Sequence, residues 1–194
     1  MKRIIYALGV VLISSNISTA QAPLVKNGTR LTYHVLNNSG KEYDYIVTVN
    51  SFGPAIAFSW KMTNPINTTG KINISANALQ TATAYKNYFA NASDEKLTSQ
   101  STVWLSRKNF NELKTAGKTT MDMTGQPLEY VKSTVSTSAS YSLKGVNKNA
   151  GIICGQYLSA GDILYTVNIF DDAKNPLIQY MNLGDFTITL TSVD

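Results

Sequence analysis

Alternation of apolar and polar residues runs through most of this 194-residue chain. Five stretches share the pattern: residues 31–35, 43–49, 56–62, 163–169 and 186–190. Successive side chains of a strand point to opposite faces, so this alternation predicts strands that each bury one face. The chain must therefore fold largely as a sheet whose inner faces share a core.

The breaks between these stretches carry turn residues. At least two residues of the types Gly, Asn, Asp and Pro occur in each of 37–41, 51–54, 171–176 and 182–185. Strands at such short spacing favour an antiparallel meander, in which the first three and the last three strands pair in sequence order. Residues 131–143 also alternate and predict a long strand or a hairpin, and residues 144–151, KGVNKNAG, read as a loop.

Two segments predict helices. Residues 75–89 are rich in Ala and begin with Ser75 as a possible N-cap. The second helix follows Ser106, where Leu105 and Phe110 occupy the positions of a hydrophobic staple. Gly117 stands where a helix of about ten residues takes a left-handed residue after its C-cap.

These elements predict an α+β fold that is mainly β. We expect a curved antiparallel meander or a partly closed β-barrel of about 8–10 strands, with one or two short helices packed against it.

The N-terminal residues 1–22 have the composition of a cleaved secretory signal peptide. Lys2 and Arg3 precede an apolar run that is too short to span a membrane, and Ala20 and Ala22 form a small-residue cleavage site. An uncleaved anchor is the alternative. Cleavage leaves residues 23–194 as a single β-rich domain, exported to the periplasm or the extracellular space, with no transmembrane segment.

The cysteine count and the charge narrow the class further. Cys154 is the only cysteine, so no intramolecular disulfide forms, which favours a bacterial export route. We expect Cys154 to be buried; a reactive or dimer-forming thiol is the alternative. Without Lys2 and Arg3 the formal charge of +5 falls to +3, spread singly along the chain, which argues against a nucleic-acid partner.

Catalytic and metal-binding motifs are missing from the sequence. His34 is the only histidine and lies on the polar side of the first predicted strand, where no usual zinc site or hydrolase triad can form around it. The paired acidic residues lie in predicted turns or on one strand face and read as solvated charges. We therefore predict no catalytic residues, no metal and no cofactor, and no motif ties the chain to a family.

The aromatic residues are the remaining indication of function. Trp60 and Trp104 lie on apolar rows, and a curved sheet lined with such side chains can enclose an apolar ligand. Arg107 and Lys108 follow Trp104 at the start of the second helix and could meet an anionic head group. The predicted ligand-binding residues are thus Trp60, Trp104, Arg107 and Lys108. The alternatives are that the aromatic side chains only fill the core and that Arg107 and Lys108 are solvated residues of the first helical turn.

Three functions stay open from the sequence. The first is an exported, non-enzymatic binding protein, which takes an apolar or amphipathic small molecule or a surface protein as its partner. The second is a structural or adhesive surface module, which the Thr- and Asn-rich polar faces also suit. The third is an unrecognised hydrolase. The oligomeric state is not indicated.

Overall fold

The computed structural model describes residues 21–63, 67–135 and 138–194. Within these ranges the chain forms 14 strands and two helices. The helices are α1 (Ala76–Thr81) and α2 (Arg107–Thr115). The strands are β1 (Arg30–Asn37), β2 (Glu42–Phe52), β3 (Ile56–Met62), β4 (Thr69–Ile74), β5 (Ala84–Tyr85), β6 (Ser93–Leu97), β7 (Gln100–Ser101), β8 (Lys118–Asp122), β9 (Pro127–Lys132), β10 (Ser138–Leu143), β11 (Val146–Leu158), β12 (Leu164–Phe170), β13 (Ile178–Asn182) and β14 (Phe186–Val193).

The strands form one continuous sheet in the order β6-β4-β3-β2-β1-β14-β13-β12-β11-β9-β8-β5-β7. β10 lies off this path, because it pairs with β11 on one side and with β14 on the other. The ring from β10 to β14 is therefore closed and forms a five-strand barrel. The remaining strands extend from this barrel as two wings, β1–β4 with β6 on one side and β9, β8, β5 and β7 on the other.

Two hydrophobic cores hold the sheet together. The first core lies under β1–β4 and α1 and includes Leu31, Val47, Phe58, Ile72 and Trp104. The second core lies under α2 and includes Phe110, Leu113, Met121, Tyr130 and Ile169. β11 separates them, since its consecutive residues Ile152 and Ile153 point to opposite faces and belong to the first and second core respectively.

The local signals predicted for α2 are confirmed. The Ser106 hydroxyl accepts a hydrogen bond from the backbone N–H of Asn109 at 3.2 Å. Leu105 and Phe110 are both buried, as the staple requires, and Gly117 has a φ of +74° just beyond the helix. These contacts fix both ends of α2 against the second core.

The helix predicted over residues 75–89 is shorter than expected. Ser75 caps it by accepting a hydrogen bond from the Ala78 backbone N–H at 3.1 Å, but the helix ends at Thr81. Two residues of the remaining stretch form β5, which pairs with β7 and β8. β-Branched and aromatic residues beyond position 80 favour this outcome, because they suit strands better than helices.

The prediction of a loop over residues 144–151 is wrong. β11 begins at Val146, and β10 is joined to it by Lys144 and Gly145 alone, with φ values of +49° and +80°. A two-residue connection with both φ angles positive matches the twist of a hairpin. Asn147, Lys148 and Asn149 look like loop residues in the sequence because they are exposed on the strand.

The predicted fold class is confirmed: the chain is mainly β with two short helices, and the first three and last three strands pair in sequence order. The structure has 14 strands where about 8–10 were predicted, partly because β5 and β7 are only two residues long. In the described part of the chain, no helix has the length and apolar character to cross a membrane. The predicted signal peptide lies, up to residue 20, outside the described residues.

Candidate functional site

A cleft of about 470 Å³ opens where the first core meets the second. Its walls come from β1, β2, β13 and β14, together with residues 87–89 and 102–103. Its volume falls within the roughly 300–1,000 Å³ of small-molecule sites. We call it the aromatic cleft, after six of the side chains that line it: Tyr33, Tyr43, Tyr45, Tyr88, Phe89 and Phe186.

Tyr33 and Tyr45 form the buried wall of the cleft. They are cross-strand partners on β1 and β2, with ring centroids 6.3 Å apart. The Tyr33 hydroxyl donates to the Ile178 carbonyl at 2.8 Å, whereas the Tyr45 hydroxyl has no hydrogen-bond partner among the described residues. Burial raises the pKa of both phenols, so both are neutral at ordinary pH.

Residues 86–89, which we call the cover segment, close the cleft on one side. Phe89 stacks on Tyr45 with the ring planes 10° apart and their centroids at 6.2 Å. Lys86 pairs with Glu95 of β6, and the Asn87 side chain donates to the Met123 carbonyl at 2.8 Å. The cover segment is thus held from both wings of the sheet.

The mouth of the cleft is formed by Tyr88, Phe186, Tyr43 and Asp185. Tyr88 is 70% exposed and meets the Phe186 ring edge to face, with centroids 5.8 Å apart. Partial burial and, second, the charge of Asp185 raise the pKa of Tyr88. Partial burial and nearby Tyr88 likewise raise the pKa of Tyr43. All four side chains line the same cleft, so one bound molecule can contact them together.

A strained turn contributes to another wall. Val103 has a φ of +63°, and the backbone N–H of Trp104 donates to the Thr102 carbonyl at 2.6 Å across it. A three-residue turn with positive φ is rare, and it is most unfavourable for a β-branched residue such as valine. Such strain occurs preferentially at functional sites, and Thr102 and Val103 both line the aromatic cleft.

The single histidine and the single cysteine lie outside the cleft lining. His34 is on the opposite face of β1 from Tyr33, 3.4 Å from the Asp44 carboxylate and 3.7 Å from that of Glu42. Cys154 is buried in β11, as expected, and burial raises its thiol pKa. Within the described residues, no group of three or more His, Cys, Asp or Glu side chains could hold a metal ion.

The two predicted tryptophans are both buried in the first core, outside the cleft lining. Trp60 lies behind the wall, with its ring 6.0 Å from Tyr45 and 5.5 Å from Phe89. Its indole covers Gly70, where a Cβ atom would lie only 2.7 Å from the ring, so a side chain there is excluded. Trp104 is held by a 2.8 Å hydrogen bond from its Nε1 to the Asn175 side chain.

Arg107 and Lys108 also lie away from the aromatic cleft. Arg107 lines a smaller pocket of about 220 Å³ together with Trp104, and its guanidinium is 3.4 Å from the Lys174 carbonyl oxygen. Lys108 is exposed and lines neither pocket. The structure thus brings two of the four predicted residues together, and their role in binding stays a prediction.

A third, wider depression of about 660 Å³ lies on the polar face of β1–β4 and β6. We call it the outer groove; its charged lining residues are Arg30, Lys61, Lys71 and Asp94. The other lining residues are Thr48, Ser59, Thr69, Ser93, Ile46, Gly70, Ala92 and Trp60, the last of which is one of the four predicted binding residues. The four charged side chains make the outer groove unlike the aromatic cleft, whose lining has one.

Sequence reasoning found one wall of the aromatic cleft and missed the other. The alternating rows placed Tyr33 and Tyr45 on a buried face, but nothing local indicated that residues 87–89 cover that face. The row that contains Phe186 was predicted to cover a core, and Phe186 does pack against both cores, but no local signal indicated that it also lies at the mouth. No known protein family, curated protein or solved structure matches this chain, so its function has to be inferred from site geometry.

Proposed function

We propose that this chain is an exported, non-enzymatic binding protein that holds a small apolar or amphipathic molecule in the aromatic cleft. The observation that carries the proposal is a cleft of about 470 Å³ with six aromatic side chains in its lining. Aromatic and aliphatic linings of this size are typical of ligand sites. The strained turn at Val103 adds support, since a packed core alone gives no reason for that backbone conformation.

The expected affinity is moderate. Drug-sized ligands gain about 0.3 kcal/mol of binding free energy per non-hydrogen atom, and smaller ligands gain somewhat more per atom. At about 0.3–0.4 kcal/mol per atom, a molecule of about 17 such atoms should bind with a dissociation constant of roughly 10–200 μM. Association is favoured by the release of water from apolar walls that are already formed.

The test uses N-phenyl-1-naphthylamine, a neutral probe whose fluorescence rises in apolar surroundings. Titration of the purified protein should give saturable binding. Ile188 lines the cleft and is half-buried, so Ile188→Trp should fill part of the space and weaken probe binding about tenfold or more. Because the added rings enter existing space, the melting temperature should change little.

Val131→Trp serves as the matched control. Val131 is 51% exposed on β9 and lies outside the cleft lining, so the same indole is added to the surface there. This variant should bind the probe as the unchanged protein does. Absence of saturable binding, or equal affinities for the two tryptophan variants, would contradict the proposal.

A second candidate function rests on the outer groove. Its basic and hydroxyl side chains suit a polar polymer or a protein surface better than an apolar molecule, as a structural or adhesive surface module requires. Lys61 and Lys71 are both exposed there. If this function holds, Lys61→Glu with Lys71→Glu should abolish adsorption to isolated cell envelopes, while Ile188→Trp should leave it intact. The reverse pattern would reject the surface module.

A further inference from the structure

We infer that the ligand of the aromatic cleft carries a positive charge, which is held at the mouth by the Asp185 carboxylate and the rings of Tyr88, Tyr43 and Phe186. The inference rests on the proposed binding function and specifies its ligand class: an ammonium or quaternary ammonium group attached to an apolar body.

The charge in the cleft lining is of one sign, negative. Asp185 is the one charged side chain in the cleft lining among the described residues, and the lining contains no lysine or arginine. No ion pair engages the Asp185 carboxylate within that part of the chain. A cation entering the cleft thus meets an uncompensated negative charge, and an anion meets repulsion.

The aromatic rings beside Asp185 also favour a positively charged ligand. Tyr88 and Phe186 meet edge to face at 80°, so their faces point in different directions around the mouth. Tyr43 lines the cleft beside them. Aromatic faces attract a cation within about 6 Å of the ring centre, and several such faces around one point form the usual receptor for quaternary ammonium groups.

The backbone that carries Asp185 is held in place before any ligand arrives. The Asn38 backbone N–H donates to the Asp185 carbonyl at 2.9 Å, and the Asn38 side chain donates to the Gly184 carbonyl at 2.7 Å. The Leu183 N–H closes the turn by donating to the Phe186 carbonyl at 3.1 Å. A carboxylate on a fixed turn loses little conformational freedom on binding.

The overall charge of the protein favours the opposite ligand. The chain has a formal net charge of +5, so its long-range field attracts anions. A preference for cations therefore cannot arise from net charge and has to come from the local arrangement at the mouth. If net charge alone governed binding, an anion would bind more tightly than a cation.

The experiment measures displacement of N-phenyl-1-naphthylamine at low salt by octyltrimethylammonium, octanol and octanoate, which share a chain and differ in charge. We expect the cation to bind about tenfold more tightly than octanol, and octanoate to bind most weakly. Asp185→Asn keeps the shape and should remove most of this preference, measured within that variant as the ratio of the cation affinity to the octanol affinity. Tyr88→Leu should weaken the binding of octyltrimethylammonium about threefold relative to the binding of octanol.

Asp94→Asn is the control, because Asp94 is exposed at the outer groove and its substitution should leave every affinity unchanged. Added salt should reduce the preference, since Asp185 is exposed. Equal displacement by the three compounds, or tightest binding of octanoate, would overturn the cation inference and leave the cleft proposal standing. Failure of the probe itself to bind would reject both.

Discussion

Tyr33 and Tyr45 show how two identical side chains on one wall differ in energetic role. Each is buried and neutral, yet only the Tyr33 hydroxyl has a hydrogen-bond partner. A buried polar group without a partner costs about 1–3 kcal/mol, whereas a satisfied one contributes about 1 kcal/mol. Replacing each by phenylalanine should therefore have opposite effects.

We expect Tyr33→Phe to lower the free energy of unfolding by about 1 kcal/mol, because the bond to the Ile178 carbonyl is lost. Tyr45→Phe should leave it unchanged or raise it by up to about 1 kcal/mol. Urea denaturation of the two variants measures both values. Equal destabilisation by the two substitutions would show that the Tyr45 hydroxyl has a partner after all.

At the scale of one element, α2 depends on a buried polar side chain. Asn109 is fully buried, and its Oδ1 accepts from the Tyr85 hydroxyl at 3.0 Å and from the Ser106 hydroxyl at 3.1 Å. Its Nδ2 donates to the Thr119 hydroxyl at 2.7 Å and to the Thr120 carbonyl at 3.1 Å. This one side chain therefore joins the helix to β5 and β8.

Asn109→Ala should destabilise the protein by about 3 kcal/mol, because it removes these bonds and leaves their partners buried and unsatisfied. Asn111→Ala is the matched control: Asn111 is exposed on the same helix, and alanine there should be neutral or slightly stabilising. Thermal and urea unfolding of the two variants give the comparison. Similar stabilities would mean that the network contributes little to folding.

Elements with local signals could be predicted from the sequence. α2 was predicted with its cap, staple and terminal glycine, because Ser106, Phe110 and Gly117 act through neighbours within the same helix. β11 was missed over its first residues, since its hairpin uses Lys144 in a positive-φ position where asparagine or glycine is the usual signal.

The site could be predicted only in part, for a related reason. The rows containing Tyr33 and Tyr45 were predicted to be buried. A cleft forms there only if another segment of the chain covers these rows without packing directly against them. The cover segment, Asp185 and Phe186 lie far from those rows along the chain, and the contacts that position them are not periodic. The sequence left two roles open for Trp60 and Trp104, ligand binding and core packing, and the structure buries both in the first core.

At the scale of the whole molecule, buried tyrosines make stability sensitive to high pH. Burial raises the pKa of Tyr85 to about 12, although its hydrogen bond to Ser106 opposes the shift. Burial also raises the pKa of Tyr33, Tyr45 and Tyr130. The folded state therefore keeps these protons at a pH where the unfolded chain releases them.

Stability should consequently be constant up to about pH 10 and fall between pH 10 and 12, with Tyr85 alone contributing about 3 kcal/mol to the loss. Urea denaturation at a series of pH values measures this slope. Tyr85→Phe should be less stable at pH 7 and lose stability less steeply above pH 10. A stability that stays flat to pH 12 would contradict the burial of these phenols.

The cleft itself is a property of the whole molecule, because it exists only where the two cores meet. Phe186 and Ile188 contact both cores and line the cleft, so they connect the barrel to the β1–β4 wing. Ligand binding should therefore raise the melting temperature, and the stabilisation should grow with the logarithm of probe concentration above the dissociation constant, as expected for a molecule that binds only the folded state.

The most direct test is an NMR titration of methyl-labelled protein with N-phenyl-1-naphthylamine. We predict shifts and probe contacts for the methyl groups of Val35, Ile178 and Ile188, which line the aromatic cleft, and none for Leu113 of the second core. Contacts confined to the exposed Leu158 and Leu164, with the cleft methyls unmoved, would contradict the binding function proposed for this protein.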